Sequence, residues 1–243
     1  MPQKQGTAMS LRAKFIASIA FATSAFLLAP AAQAATHPVQ VSGAKLKSAL
    51  LPASTFGSGF KLLGASSSGK SLWHQTPAKH VATMSCANFE NQGLTRYGES
   101  AVATSAILNN DSTNITSLSN LNLLYDQTVY QFPSAKAAAA FYNQAHGKFA
   151  ACKSFSETVS GDPRGKLTFT LKSIAKTKVG THQAFKIAQG IGDSGLTGVS
   201  LNFETLVTVA GADVFVVINF TTANHPVAAK TVLKLVDRVK ALR

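Results

Sequence analysis

The stretch that most constrains this chain runs from Pro133 to Cys152, PSAKAAAAFYNQAHGKFAAC. Pro133 and Ser134 give a helix start, with Ser134 as N-cap. Alanines 137–140 follow, at the top of the helix-propensity scale. Ala138, Phe141, Ala145, Phe149 and Cys152 recur every three or four residues, which puts them on one narrow face. That face has to lie on something apolar. Cys152 ends it, and Cys86 is the only other cysteine. The sequence predicts a helix over 134–152, stapled at its end by a Cys86–Cys152 disulfide.

The leader supports that pairing. Arg12 and Lys14 precede an apolar run from Phe15 to Leu28, and Ala32-Gln33-Ala34 is an A-x-A cleavage site. Residues 1–34 are expected to be a cleaved signal peptide, whether translation starts at Met1 or Met9, and the mature chain to begin at Ala35. The run is short for a membrane span, and no later stretch reaches the roughly 20 apolar residues one needs. No lipid-accepting cysteine follows the site. The expected location is secreted or extracellular, where two cysteines favour a disulfide.

Charge bears on partners. Loss of Lys4, Arg12 and Lys14 with the leader leaves twenty basic residues against ten acidic ones. Such a surplus favours an anionic cell-envelope component, or else merely keeps the protein soluble. Eleven of the basic residues lie between Arg164 and Arg243, against four acidic ones. Lys172, Lys186, Lys230, Lys234, Arg238 and Lys240 are the residues expected to form an anion-attracting surface. A single tryptophan and no basic run interleaved with aromatics argue against a specific nucleic-acid platform.

The order of elements gives the fold class. Residues 35–43 read as a flexible arm, and 44–243 as a single domain. Ala44–Leu51 reads as a short helix, and Phe56–Ser71 as a Gly/Ser-rich loop. Strands are expected at Val81–Cys86, Ser100–Leu108, Leu121–Phe132, Leu167–Lys172, Ala184–Gln189, Val199–Val209 and Val214–Phe220. Ala210–Asp213 is a turn that makes the last two a hairpin, and Asn109–Asn120 is a polar loop. His225–Leu242 is the closing helix, with Pro226 in its first turn and Val232, Leu235, Val236, Val239 and Leu242 on its apolar face. Strands in runs, with a helix between and a helix after, predict an α+β domain with a twisted, mainly antiparallel sheet and flanking helices.

Three motifs carry the look of chemistry. Gly64–Ser71, GASSSGKS, fits the P-loop pattern, which requires a strand before it and a helix at Lys70. Pro77 interrupts any such helix, so a flexible loop is the reading. Gly190, Gly192 and Gly195 fit GxGxxG, which must open a helix. The alternating run that follows is a strand, so a glycine-rich connection is expected. Gly192–Gly195, GDSG, resembles the nucleophile segment of chymotrypsin-like serine proteases, with Ser194 in the nucleophile's place. It lacks that family's following Gly-Pro and its histidine segment. The six histidines show no metal spacing. No cofactor is expected. Asn110, Asn114 and Asn219 fit the glycosylation pattern.

Val129–Cys152, VYQFPSAKAAAAFYNQAHGKFAAC, resembles one family: the PknH-like extracellular sensor domains of actinobacteria. These stand at the outer end of some serine/threonine kinases and in secreted or lipid-anchored relatives. The closing hairpin and the AAKTVLKLVDRVKAL helix are similar to that family's end, and the resemblance spans roughly 44–243. It implies that Cys152 pairs with a cysteine upstream of the first long strands, the place of Cys86. It also implies a twisted antiparallel sheet, flanking helices and a cleft proposed to take a ligand. The kinase sensor has a second disulfide in its C-terminal half, whereas this chain has no cysteine after Cys152.

Three functions compete. One is a non-enzymatic, secreted sensor-like domain binding an unknown small ligand. Another is a basic cell-envelope polyanion-binding or adhesion protein. The third is a secreted serine hydrolase using Ser194. The absence of a complete catalytic set favours the first.

Overall fold

The computed structural model describes residues 39–68, 86, 99–109, 123–158, 166–193, 200–221 and 226–243. Among these residues eight strands form one open antiparallel sheet in the order β1-β2-β3-β8-β7-β6-β5-β4. They are β1 Phe60–Ser68, β2 Ala101–Asn109, β3 Leu123–Gln131, β4 Ser154–Thr158, β5 Lys166–Val179, β6 His182–Asp193, β7 Ser200–Ala210 and β8 Asp213–Thr221. Three helices complete the described architecture: α1 Gly43–Ala49, α2 Ala135–Ala151 and α3 Ala229–Lys240. The expected α+β class, antiparallel sheet and flanking helices are what the chain adopts.

The sheet separates two apolar cores. Strand side chains alternate between faces. Val214, Val216, Ile218 and Phe220 of β8 join the core beneath α2, with Phe141, Tyr142, Ala145 and Phe149. Phe215 and Val217 join the opposite core, with Leu46 and Ala49 of α1 and Val232, Leu235, Val236 and Val239 of α3. β8 is therefore buried on both sides, as its continuous apolar run requires.

Helix α2 forms where expected. The Ser134 side chain accepts from the Ala137 N–H at 3.1 Å. The predicted face is buried from Ala138 to Cys152, and Tyr142 joins it. Cys152 is bonded to Cys86, with the two Cα atoms 5.5 Å apart. Of the strand expected at Val81–Cys86, only Cys86 is described, and it is helical.

Several boundaries differ from expectation. Phe60–Ser68 is not loop but strand β1, paired with β2 from Phe60↔Asn109 to Ser68↔Val102. Its register shifts between Leu62 and Gly64, where Leu63 bulges out. β1 lies at the sheet's edge and is largely exposed, so it carries no apolar alternation to read. β4 was not expected, and β5 continues to Val179, well past Lys172. Gly190 and Gly192 lie within β6 rather than in a connection. α3 begins at Ala229, three residues after Pro226. The polar loop expected at 109–120 falls outside the described residues after Asn109.

The segment before α1 is held firmly. The Gln131 side chain accepts from the Val41 N–H at 2.9 Å and donates to the Val41 carbonyl at 3.0 Å. Gln127, four residues earlier on the same face, does the same for Leu51, at 2.9 and 2.8 Å. Two glutamine amides thus stand in for backbone partners. Residues 40–43, expected within a flexible arm, are anchored: Gln40 donates to Phe132 O, Val41 is buried and Ser42 caps α1. Residues 1–38, with the expected signal peptide, lie outside the description.

Candidate functional site

A shallow cavity of about 320 Å³ opens on the α1/α3 side of the sheet. One wall comes from the turn after the Ala53–Thr55 3₁₀ segment: Ser54, Thr55, Phe56 and Gly57. Gly57 has φ 134°, a value that favours glycine. The floor is Tyr125 of β3. The other wall is Val227, Ala228, Lys230 and Thr231, where the chain enters α3.

Two kinds of surface meet there. Phe56 and Tyr125 are in ring contact at 4.6 Å, with Phe60 beside them at 5.7 Å from Tyr125. Opposite this aromatic wall stands the start of α3, whose N-cap, Ala228, has no side chain to satisfy the first turn. Exposed N–H groups and the helix dipole make such an end favourable to negative charge. Glu204 of β7 holds it in place, accepting from the Val227 N–H at 2.7 Å. Its other oxygen pairs with Lys186 at 2.5 Å. Burial, and then the Glu204 charge, hold the Tyr125 phenol above its ordinary value, so its hydroxyl stays protonated and able to donate.

The six basic residues singled out by sequence are engaged in different ways. Lys230 lines the cavity and is exposed. Lys186 supports it through Glu204. Lys172, at the β5 bulge, donates to Asn202. Lys230, Lys234 and Arg238 follow one another along the exposed side of α3, spanning about 12 Å. Arg238 is engaged structurally: its guanidinium donates to Ala49 O at 2.7 Å and Ser48 O at 2.9 Å, closing the C-terminal end of α1. Lys240 lies 3.0 Å from His182 Nε2, and its charge adds to burial in lowering that imidazole's pKa. Sequence reasoning missed Phe56, Tyr125, Thr231 and Glu204, which come together only through the tertiary fold.

The chemistry-like motifs fare differently. Gly64–Ser68 of the P-loop match is extended strand, and a strand sends alternate N–H groups to opposite edges instead of converging them on a phosphate. Lys70, Ser71, Ser194 and Gly195 lie outside the described residues. Gly192 sits in β6, which pairs antiparallel with β7, so no helix opens there in the manner of a dinucleotide fold. Asn219 is fully buried in β8 and cannot accept a glycan. Among the described residues no group of three His, Cys, Asp or Glu side chains could hold a metal. None of the described helices is long and apolar enough to cross a membrane.

Comparison with known proteins agrees with this architecture. No curated protein sequence is significantly similar to this one. Among solved structures, the extracellular domain of PknH from Mycobacterium tuberculosis superposes with a TM-score of 0.57 at 16% identity. The match covers 83% of this chain and 97% of that one, a likeness of fold. The sequence pattern of the PknH-like extracellular domain matches residues 41–239, from the glutamine-clamped Val41 to the last buried valine of α3. The chain belongs to the PknH-like extracellular domain family.

Proposed function

We propose that the mature chain, released by cleavage before Ala35, is a non-enzymatic sensor-like domain that binds a small anionic ligand of the cell envelope or extracellular space. The observation that carries this reading is the cavity at the start of α3. It sets a donor-rich, cationic wall with Lys230 against the rings of Phe56 and Tyr125. A ligand with a flat or apolar body and one carboxylate or phosphate fits that division. Membership of an extracellular sensor family supports the placement, and the described residues assemble no nucleophile with a base and an orienting acid.

The test is a thermal-shift and calorimetric screen of mature protein against small organic carboxylates and phosphates. A ligand at 100 times its dissociation constant adds about 2.7 kcal/mol to stability. Lys230→Gln is expected to abolish the shift, and Lys234→Gln, one turn further along, to leave it. Binding in the cavity survives moderate salt. A general polyanion surface instead loses affinity steeply with salt and responds equally to both substitutions. That second pattern, or no hit across the screen, overturns the cavity reading.

A further inference from the structure

Asp126 stands in the middle of β3 on the face that carries the α2 core. It is 3% exposed, and among the described residues neither carboxylate oxygen has a hydrogen-bond partner. Its register partners are Ala106 on β2 and Ile218 on β8. Across β8, opposite Ile218, is Thr205, whose buried hydroxyl is also without a partner. A carboxylate so placed has lost its water and gained nothing in return.

The surrounding elements supply no counter-charge among the described residues. On this face β2 presents Thr104, Ala106 and Leu108, and Thr104 is already bonded to Thr128 of β3. β8 presents Val216, Ile218 and Phe220, and β7 presents Phe203, Thr205 and Val207. The titratable neighbour on β3 is Tyr130, four residues along, kept protonated by burial and by the charge of Glu99. Lys61 is exposed on the edge strand β1, next to Leu108. His146 of α2 rests edge-on against Phe185, three strands away, with the charge of Lys176 near it. Lys148 of α2 is itself destabilised as a cation by burial.

We propose that Asp126 is a proton-operated catch: it carries a proton in the folded domain at mildly acidic pH, and its ionisation as the medium becomes neutral to alkaline loosens the β2–β3–β8 part of the sheet. Burial alone raises its carboxyl to about 7. In the unfolded chain the same group titrates near 3.9. Because the folded value is the higher one, the folded state binds the extra proton between the two. Its contribution to stability is therefore full below the unfolded value and lost as pH rises through the folded one. His146 and His182 act in the opposite sense, since burial depresses both and favours the fold at higher pH. The inference is independent of which ligand the cavity takes.

The test compares mature wild type with Asp126→Asn by denaturant unfolding from about pH 5 to about pH 8. The ratio of the two folding constants is expected to fall by up to about tenfold per pH unit toward neutrality, with the variant the more stable at the alkaline end. Taking that ratio removes the contributions of the histidines and of Asp213. Parallel pH profiles overturn the proposal. A second measurement, independent of whether the variant folds, follows the Asp126 carboxyl carbon by NMR in the wild type. A midpoint near neutrality supports the catch, and one in the ordinary carboxylate range overturns it.

Discussion

Arg243 and Asp213 show how much one residue can hold here. Asp213 opens β8 with a side chain only 1% exposed, and the Arg243 guanidinium grips both its oxygens at 2.7 Å. Burial raises the Asp213 pKa, and the arginine pulls it part of the way back. Removing the arginine strands a buried charge, which costs about 3 kcal/mol where the pair is well enclosed. Arg243→Met is therefore expected to lower unfolding stability by about that amount at neutral pH. With the folded value above the unfolded one, acid relieves the stranded group by protonating it. The deficit should shrink as pH falls, and urea titrations at neutral and acid pH would read both effects. A deficit that does not change with pH would mean that the bond acts through packing alone.

Among the elements, those with a rigid periodic signature were legible and those at the margins were not. α2 could be read from Ser134 to Cys152 because cap, alanine run and apolar face agree. The β7–β8 hairpin could be read because one face of β7 is apolar apart from Thr205, and a turn signal precedes the apolar run of β8. β1 could not, since Phe60–Ser68 lies exposed at an edge and Gly/Ser composition serves there as well as any. The end of β5 was missed for the same reason: Lys176, Thr177 and Lys178 are exposed. Gly190 and Gly192 suggested a connection, yet pairing to both neighbours keeps them in strand. The Gln127 and Gln131 clamps had no local signal at all, because their partners lie 76 and 90 residues away. Gln131→Ala leaves the buried Val41 amide and carbonyl unmatched, a cost of about 2 kcal/mol. Limited proteolysis should then cut first in the residues around Val41. Unchanged protection there would show that α1 holds the segment without the clamp.

For the molecule as a whole, the decisive junction is β3 against β8. It sews the N-terminal strands β1–β3 to the C-terminal strands β4–β8 into one sheet. The cavity is a product of that junction, with its floor on β3 and its cationic wall after β8. This is why charge counting found Lys230 but could not tell it from Arg238, whose guanidinium is spent on α1. The Cys86–Cys152 bond spans 66 residues that include β2, β3 and α2. In the loop-entropy account a closure of that length is worth about 4 kcal/mol. Replacing both cysteines by alanine should lower stability by about 2–5 kcal/mol in denaturant melts. Two free thiols in protein purified without reductant would remove the bond from the account.

Val41 is clamped by Gln131, Gln131 faces Asp213 across the β3–β8 ladder, and Asp213 grips Arg243. The place where the described chain enters the domain and the place where it leaves are therefore one corner. A domain arranged in this way is suspended like a bell. Traction applied through residue 39 and resisted at Arg243 crosses the sheet in a single step, at the Gln131–Asp213 pair of the β3–β8 ladder. The other links on that path are side-chain hydrogen bonds at the rim, from Gln131 to Val41 and from Arg243 to Asp213.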